Sequence, residues 1–291
     1  MADAAKRQRT SFGNSLLTII LITLMNSKKL KRNKVILHWT LFAVLSFLMC
    51  AILIGIDAFF IEPNWIKVRT IRLSENPKLR FVHLTDIHHI KHSSLFPKAV
   101  ETINRLSPDF VCFTGDLTGS PEENADDFKD ALAILTKLKA PVYGVPGNHD
   151  YWAKIDFDEV SHALKSTGGS WLVDSKTETV DGKVIIFGVA KINEYLPEPE
   201  PGKINILLCH YPVIVESLGE RKFDLILAGH THGGQVRIPF FGPIIFPYNT
   251  GKYDYGLFNT KNGPLYVSCG LGYFYINVRF NCRPEIILFE L

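Results

Sequence analysis

Five apolar runs in this chain each end in a side chain able to ligate a metal ion. Run 81–84 leads into Asp86-Ile87-His88, run 110–113 into Gly115-Asp116, and run 142–145 into Gly147-Asn148-His149-Asp150. Run 204–209 is followed by His210, and run 223–228 by Gly229-His230-Thr231-His232-Gly233-Gly234. Short apolar runs bounded by glycine and polar residues read as buried strands. In α/β sheets, ligands bind beyond the carboxyl ends of the strands. A lone His-x-His is an ordinary polar turn, and any other block alone is as weak. Five independent accidents of this kind are improbable, so the pattern reads as one metal site built from strand ends. Imidazoles at i and i+2 can converge on one point, and flanking glycines let the backbone approach it.

Helical segments are expected between the runs, at 97–106, 125–138 and 157–166, with Pro121-Glu122-Glu123 suiting the approach to the second. Further strands are expected at 184–189, 265–268 and 285–289, with a short apolar segment at 171–173. The alternation gives an α/β fold. Residues 198–202 read as a loop, and no internal repeat or low-complexity tract is present.

Taken in order, Asp-x-His, Gly-Asp, Gly-Asn-His-Asp, a lone His and Gly-His-Thr-His resemble the calcineurin-like metallophosphoesterases, over residues 79–291. The resemblance implies two β-sheets packed face to face with helices outside. It also implies two divalent metal ions, with Asp116 bridging them. Asp86, His88 and His232 then complete one metal, and Asn148, His210 and His230 the other. This nitrogen-and-oxygen set without thiolate favours Mn²⁺, with Fe or Zn²⁺ as alternatives. Phosphate esters resist hydrolysis because their anionic oxygens repel an anionic nucleophile, and a metal pair addresses both sides of that problem. His149 is the candidate general acid for the leaving oxygen. Asp150 is either its orienting partner or a turn residue.

A narrower resemblance lies in Gly229-His230-Thr231-His232-Gly233-Gly234-Gln235 and in Val278-Arg279-Phe280-Asn281-Cys282-Arg283-Pro284-Glu285. With the hydrophobic N-terminus, these look like a membrane-linked bacterial branch that includes UDP-2,3-diacylglucosamine pyrophosphatases of lipid A synthesis. The resemblance implies a lipid-linked phosphate as substrate and the bacterial inner membrane as location. A general phosphodiesterase or phosphomonoesterase of the cell envelope is the alternative. A non-catalytic binding module ranks below both, because every ligand is retained.

The N-terminal third supplies the anchor. Residues 1–34 read as a basic tail, 35–61 as a single membrane helix, 62–78 as a linker and 79–291 as the catalytic domain. Residues 35–56 contain no Asp, Glu, Lys or Arg, and as a helix would extend roughly 33 Å, enough for a bilayer core. No small-residue cleavage site follows them cleanly, which argues against a signal peptide. Basic residues crowd both flanks, at Lys28 to Lys34 and again at Lys67 to Arg80, so the charge bias fixes no side of the membrane firmly. Its slight excess places the catalytic domain outside, whereas a nucleotide-lipid substrate requires the cytoplasmic face. A start at Met25 would remove the awkward apolar stretch 12–25. A native peptide covering Met1 to Arg9 would refute that start.

Net charge is only +3, and no broad basic face is evident, which argues against a nuclease or other nucleic-acid binder. The five cysteines show neither disulfide-framework nor zinc-knuckle spacing. No protein partner is indicated. His89, Lys91, His92, Arg237, Arg279 and Arg283 are secondary candidates for anion contact, with ordinary loop and surface roles as the alternative. Two aromatic stretches, Phe240-Phe241 through Phe258 and Tyr273-Phe274-Tyr275, form either a lipid-facing groove or ordinary packing.

Overall fold

A computed structural model of the chain describes residues 2–119, 125–191 and 195–291, and within them the side chains at 23, 25 and 29 and from residue 31 onward, except that of residue 125. Pro121-Glu122-Glu123 therefore lies outside the described residues. The chain divides into two compact units, ending and beginning at Ile56 and Asp57. The first is one helix, α1 (Ala2–Ile56), whose C-terminal part is long and apolar enough to cross a membrane. Of the segment expected as a basic tail, 1–34, the described residues 2–34 are part of this helix. No proline interrupts it, and its Leu, Lys and Arg residues are good helix formers.

The second unit holds the strands β1 (Lys67–Arg72), β2 (Arg80–Leu84), β3 (Phe110–Phe113), β4 (Val142–Gly144), β5 (Ser170–Trp171), β6 (Ser175–Glu178), β7 (Val184–Val189), β8 (Ile204–Cys209), β9 (Leu225–Ala228), β10 (Arg237–Ile238), β11 (Gly242–Pro243), β12 (Gly256–Thr260), β13 (Gly263–Val267) and β14 (Glu285–Glu290). Its helices are α2 (Leu95–Leu106), α3 (Ala125–Leu135), α4 (Asn148–Trp152) and α5 (Phe157–Ser166). Among the described residues there are two six-stranded sheets, in the orders β1-β14-β2-β3-β4-β5 and β12-β13-β9-β8-β7-β6, plus a small β10–β11 hairpin.

Side-chain alternation along the strands builds three layers of core. Phe81, Phe110, Cys112, Tyr143 and Phe289 of the first sheet face Val184, Ile186, Leu208, Leu227 and Tyr266 of the second. Their neighbours in sequence, such as Val82, Val111 and Leu288, point the other way, against Phe96 and Ile103 of α2, Leu135 of α3 and Leu164 of α5. The outer face of the second sheet is covered by the 3₁₀ turn Pro212–Glu216 with Phe223 and Tyr253. Both faces of each central strand are thus buried, which is why these strands read as unbroken apolar runs.

The central strands β2 to β5 are parallel to one another, as are β7, β8, β9 and β13. All five ligand-bearing runs consequently end at one edge of the layered core. The expected linker 62–78 requires correction. Its residues 67–72 form β1, parallel to β14 from Lys67↔Glu285 to Arg72↔Glu290. An edge strand with one solvated face alternates charge with apolar residues, so it carries no apolar run. The same reason hides β6 and β12, which close the far sheet with partly exposed side chains.

Candidate metal centre

The loops after β2, β3, β4, β8 and β9 deliver the sequence-nominated side chains to one buried cluster. Asp86, His210, Asp116, His232, Asn148, His88 and His230 are all buried, none more than 8 % exposed. Asp116 stands between two groups. Its Oδ2 lies 3.5 Å from His88 Nε2 and 3.2 Å from His210 Nε2. On one side, Asp86, His88 and His232 present ligand atoms within 4.8 Å of one another, with His232 Nε2 3.5 Å from Asp86 Oδ1. On the other, His210 Nε2 is 3.0 Å from Asn148 Oδ1 and 3.2 Å from His230 Nδ1.

The imidazoles are aimed by their outer nitrogens. His210 Nδ1 donates to the Thr114 carbonyl at 2.8 Å, and His230 Nε2 to the Tyr248 carbonyl at 2.6 Å. Each bond orients the ring so that its other nitrogen faces the cluster. His88 Nε2 and His232 Nδ1 are buried with no hydrogen-bond partner.

The backbone is strained where the ligands sit. Asp86, His88, Asp116, His230 and His232 all have positive φ, between 42° and 71°. Each such residue costs on the order of 1 kcal/mol or more and persists only where its surroundings over-determine it. Here the surroundings are glycines. A Cβ on Gly147 would meet Asp116 Oδ1 at 2.0 Å, and one on Gly229 would meet Thr85 Oγ1 at 2.1 Å and Asp86 Oδ2 at 2.4 Å. Gly270 and Gly272 are pressed in the same way against Asp86 and His88.

The electrostatics call for positive charge. Burial raises the Asp86 carboxyl to about 7, opposed by the charge of His210 and reinforced by that of Asp116. For Asp116, burial opposes ionisation, but the charge and hydrogen bond of His210 outweigh it and hold the carboxyl below its usual range. The same attraction, acting against burial, raises His210 to about 9. Burial lowers His88 to about 3 and, with the His210 charge, His230 to about 4, so both are neutral lone-pair donors at pH 7. Two buried carboxylates, four imidazoles and an amide oxygen, converging with unpartnered nitrogens, fit a pair of divalent cations.

His149 lines a cavity of about 350 Å³ together with Asp116, Asn148, His230 and His232. Its Nδ1 is bonded to the Gly119 carbonyl, which leaves Nε2 available to the cavity, and its ring packs on His88, Trp152 and Phe274. Asp150 does not orient it. The Asp150 carboxylate accepts backbone N–H groups from Asp116 and Gly147, both at 2.8 Å, and from Leu117 at 2.9 Å. As the third residue of α4 it points back to cap the helix start, and so ties the β3 and β4 loops together. Asp150→Asn replaces an acceptor oxygen with an amide N–H₂ that faces backbone donors, and is expected to lower stability by about 3 kcal/mol. Urea denaturation checks this, and an unchanged midpoint would contradict it.

The secondary candidates are engaged elsewhere. His89 bonds Asp130 and Lys91 bonds Asp126, both on α3, while His92 is exposed. Arg237 bonds Asp254 and the Gly233 carbonyl. Arg283 lies 3.7 Å over the Trp65 ring. Arg279 is almost fully buried and donates to the carbonyls of Cys269, Gly270, Gly272 and Cys282, holding the loop that packs on Asp86 and His88. Sequence reading missed Glu62 and Glu285. Glu62 accepts the backbone N–H groups of Asn281 and Cys282, and Glu285 accepts Tyr255, Tyr266, Ser268 and the Cys269 N–H. Isolated glutamates next to apolar runs carry no signal of burial.

Comparison with known proteins agrees with this geometry. A family model described as calcineurin-like phosphoesterase matches residues 79–234. The uncharacterised metallophosphoesterase YkuE of Bacillus subtilis is 30% identical over 256 residues, covering 80% of this chain and 88% of its own. Phosphodiesterase YaeI of Escherichia coli is 28% identical over 246 residues, covering 80% and 90%. The uncharacterised metallophosphoesterase YkoQ of Bacillus subtilis is 30% identical over 254 residues, covering 78% and 90%.

Proposed function

Because the chain belongs to the calcineurin-like phosphoesterase family and is a metal-dependent phosphoester hydrolase, we propose that it cleaves a phosphodiester or pyrophosphate bond in a lipid-linked substrate. The observation that carries this is an apolar groove of about 460 Å³, formed by Ile244, Ile245, Phe246, Tyr275, Ile276 and Val278. His232, Pro247 and Phe274 line both this groove and the metal cavity. A molecule with phosphate in the cavity therefore has an apolar trough beside it for an acyl chain. UDP-2,3-diacylglucosamine, with UMP and the acylated sugar phosphate as products, is the leading substrate. Residues 35–56 serve as a single anchor in the bacterial inner membrane.

In this reading Asp86, His88 and His232 would hold one cation and Asn148, His210 and His230 the other, with Asp116 contributing to both. When bound, the two ions, Mn²⁺ by preference, neutralise phosphoryl oxygens and activate water. Asp116 supplies the charge common to both halves. His149 delivers a proton from Nε2 to the leaving oxygen. Trp152, Tyr211 and Phe274 wall the cavity and limit bulk water.

The test is purified full-length protein with Mn²⁺, assayed on UDP-2,3-diacylglucosamine and on bis(p-nitrophenyl) phosphate. UMP release supports the lipid reading. Hydrolysis of the small diester alone supports a general envelope phosphodiesterase, the reading favoured by the similarity to phosphodiesterase YaeI. Chelation with EDTA should abolish either activity, and added Mn²⁺ should restore it. Ile245→Glu puts a charge into the groove wall, where the native side chain is 73 % exposed. It is expected to slow lipid-substrate hydrolysis about tenfold, equal to ~1.4 kcal/mol, and to spare the small diester. Equal slowing of both would count against the groove.

A further inference from the structure

The stretch 238–251 contains no charged residue, and neither does 270–278. Between them they expose nine large apolar side chains. Phe240, Phe241, Tyr248 and Tyr275 are each at least 85 % exposed, and Ile244, Ile245 and Ile276 at least 59 %. Contiguous exposed apolar surface of this kind marks an interaction site.

Its position narrows the partner. The β10–β11 hairpin carries Phe240 and Phe241 at its tip, and its base is bonded to residue 280, with Arg237 N donating to the Phe280 carbonyl at 2.9 Å. The adjacent residue, Arg279, donates its N–H to the Ala58 carbonyl, also at 2.9 Å. Glu62 clamps the next two residues, Asn281 and Cys282. The hairpin base therefore lies about two strand spacings, on the order of 10 Å, from Ala58. Ala58 is only two residues beyond the end of α1 in the chain.

We infer that the β10–β11 hairpin and the 274–276 loop insert into the acyl region of a lipid bilayer, as a second membrane contact in addition to the anchor. This rests on the membrane reading above, in which the chain leaves the bilayer near residue 57. Ala58 then stands at the bilayer surface, and the hairpin reaches it as well. Phenylalanine and tyrosine without charge suit that interface. The apolar groove opens between the same two segments, so it opens toward lipid. A lipid-linked substrate then slides from the bilayer to the metals without its acyl chains crossing water.

The test is site-directed spin labelling of the full chain in phospholipid nanodiscs. Cys50 is the exposed cysteine among the described residues, and Cys112, Cys209, Cys269 and Cys282 are buried. The native chain therefore takes a nitroxide on α1. Phe241→Cys and Val180→Cys, each in a Cys50→Ser background, place it on the hairpin and on a solvent-facing site that is 88 % exposed. Collision with oxygen relative to a water-soluble nickel chelate should be several-fold higher at 241 than at 180, and high at Cys50. A ratio at 241 equal to that at 180, with Cys50 high, overturns the inference and leaves the anchor standing. Low ratios at Cys50 and 241 together overturn the anchor and this inference with it. All three sites are exposed, so labelling does not disturb the core.

Discussion

Asp116→Asn is expected to cut hydrolysis of bis(p-nitrophenyl) phosphate by about 10³-fold or more, because several kcal/mol of metal-ion charge stabilisation is lost at once. No other single change should cost as much. Asp116 Oδ2 faces His88 on one side and His210 on the other, while Oδ1 accepts the His149 N–H at 2.9 Å. The substitution removes negative charge from both halves of the site. It also turns an amide N–H₂ toward donors on at least one side. Metal content should fall together with rate, and elemental analysis of the purified variant measures it. Asp86→Asn touches one half only, so it should leave more metal and more activity. An Asp116→Asn protein that keeps two equivalents of Mn²⁺ and a tenth of the wild-type rate would end the shared-ligand interpretation.

Gly147→Ala and Gly229→Ala are expected to be nearly as damaging, without removing any ligand. Neither glycine has a positive φ, so the requirement is for space alone. At Gly147 the new methyl would lie 2.0 Å from Asp116 Oδ1 and 2.6 Å from the Asp116 backbone nitrogen. At Gly229 it would lie 2.4 Å from Asp86 Oδ2. Overpacking of this kind costs about 1–3 kcal/mol of stability. A carboxylate displaced by about 1 Å costs on the order of 100-fold in rate. Gly55→Ala is the control, since nothing lies within 4 Å of the added atom. Thermal melts separate folding from function. Rates within threefold of wild type for both variants would mean that the ligand loops tolerate movement, contrary to the close packing seen.

The legible part of the site was the part whose chemistry is carried by residue type. Asp86, Asp116, Asn148 and the histidines stood out because each followed an apolar run. The structure brings all of them together through the parallel course of β2, β3, β4, β8 and β9. The two readings of Asp150 stayed open because sequence adjacency to His149 says nothing of direction; on α4 the carboxylate turns back to three backbone amides. Arg279 drew attention as an anion binder, yet it is buried among carbonyls. A lone cation in sequence is silent about which side of a loop it faces. Edge strands β1, β6 and β12 were missed because one solvated face dilutes the apolar pattern.

By itself the sequence determined the donor set, its order along the chain, the α/β layering and an apolar helix long enough for a membrane. These follow from side-chain chemistry and hydrophobic period, which are local properties. Only the tertiary structure decided which histidine nitrogen faces inward and that four glycines clear space for the ligands. It alone joined residue 58 to the hairpin carrying Phe240 and Phe241. Those are relations between residues 18 to 221 positions apart, set by sheet register and packing rather than by any local preference.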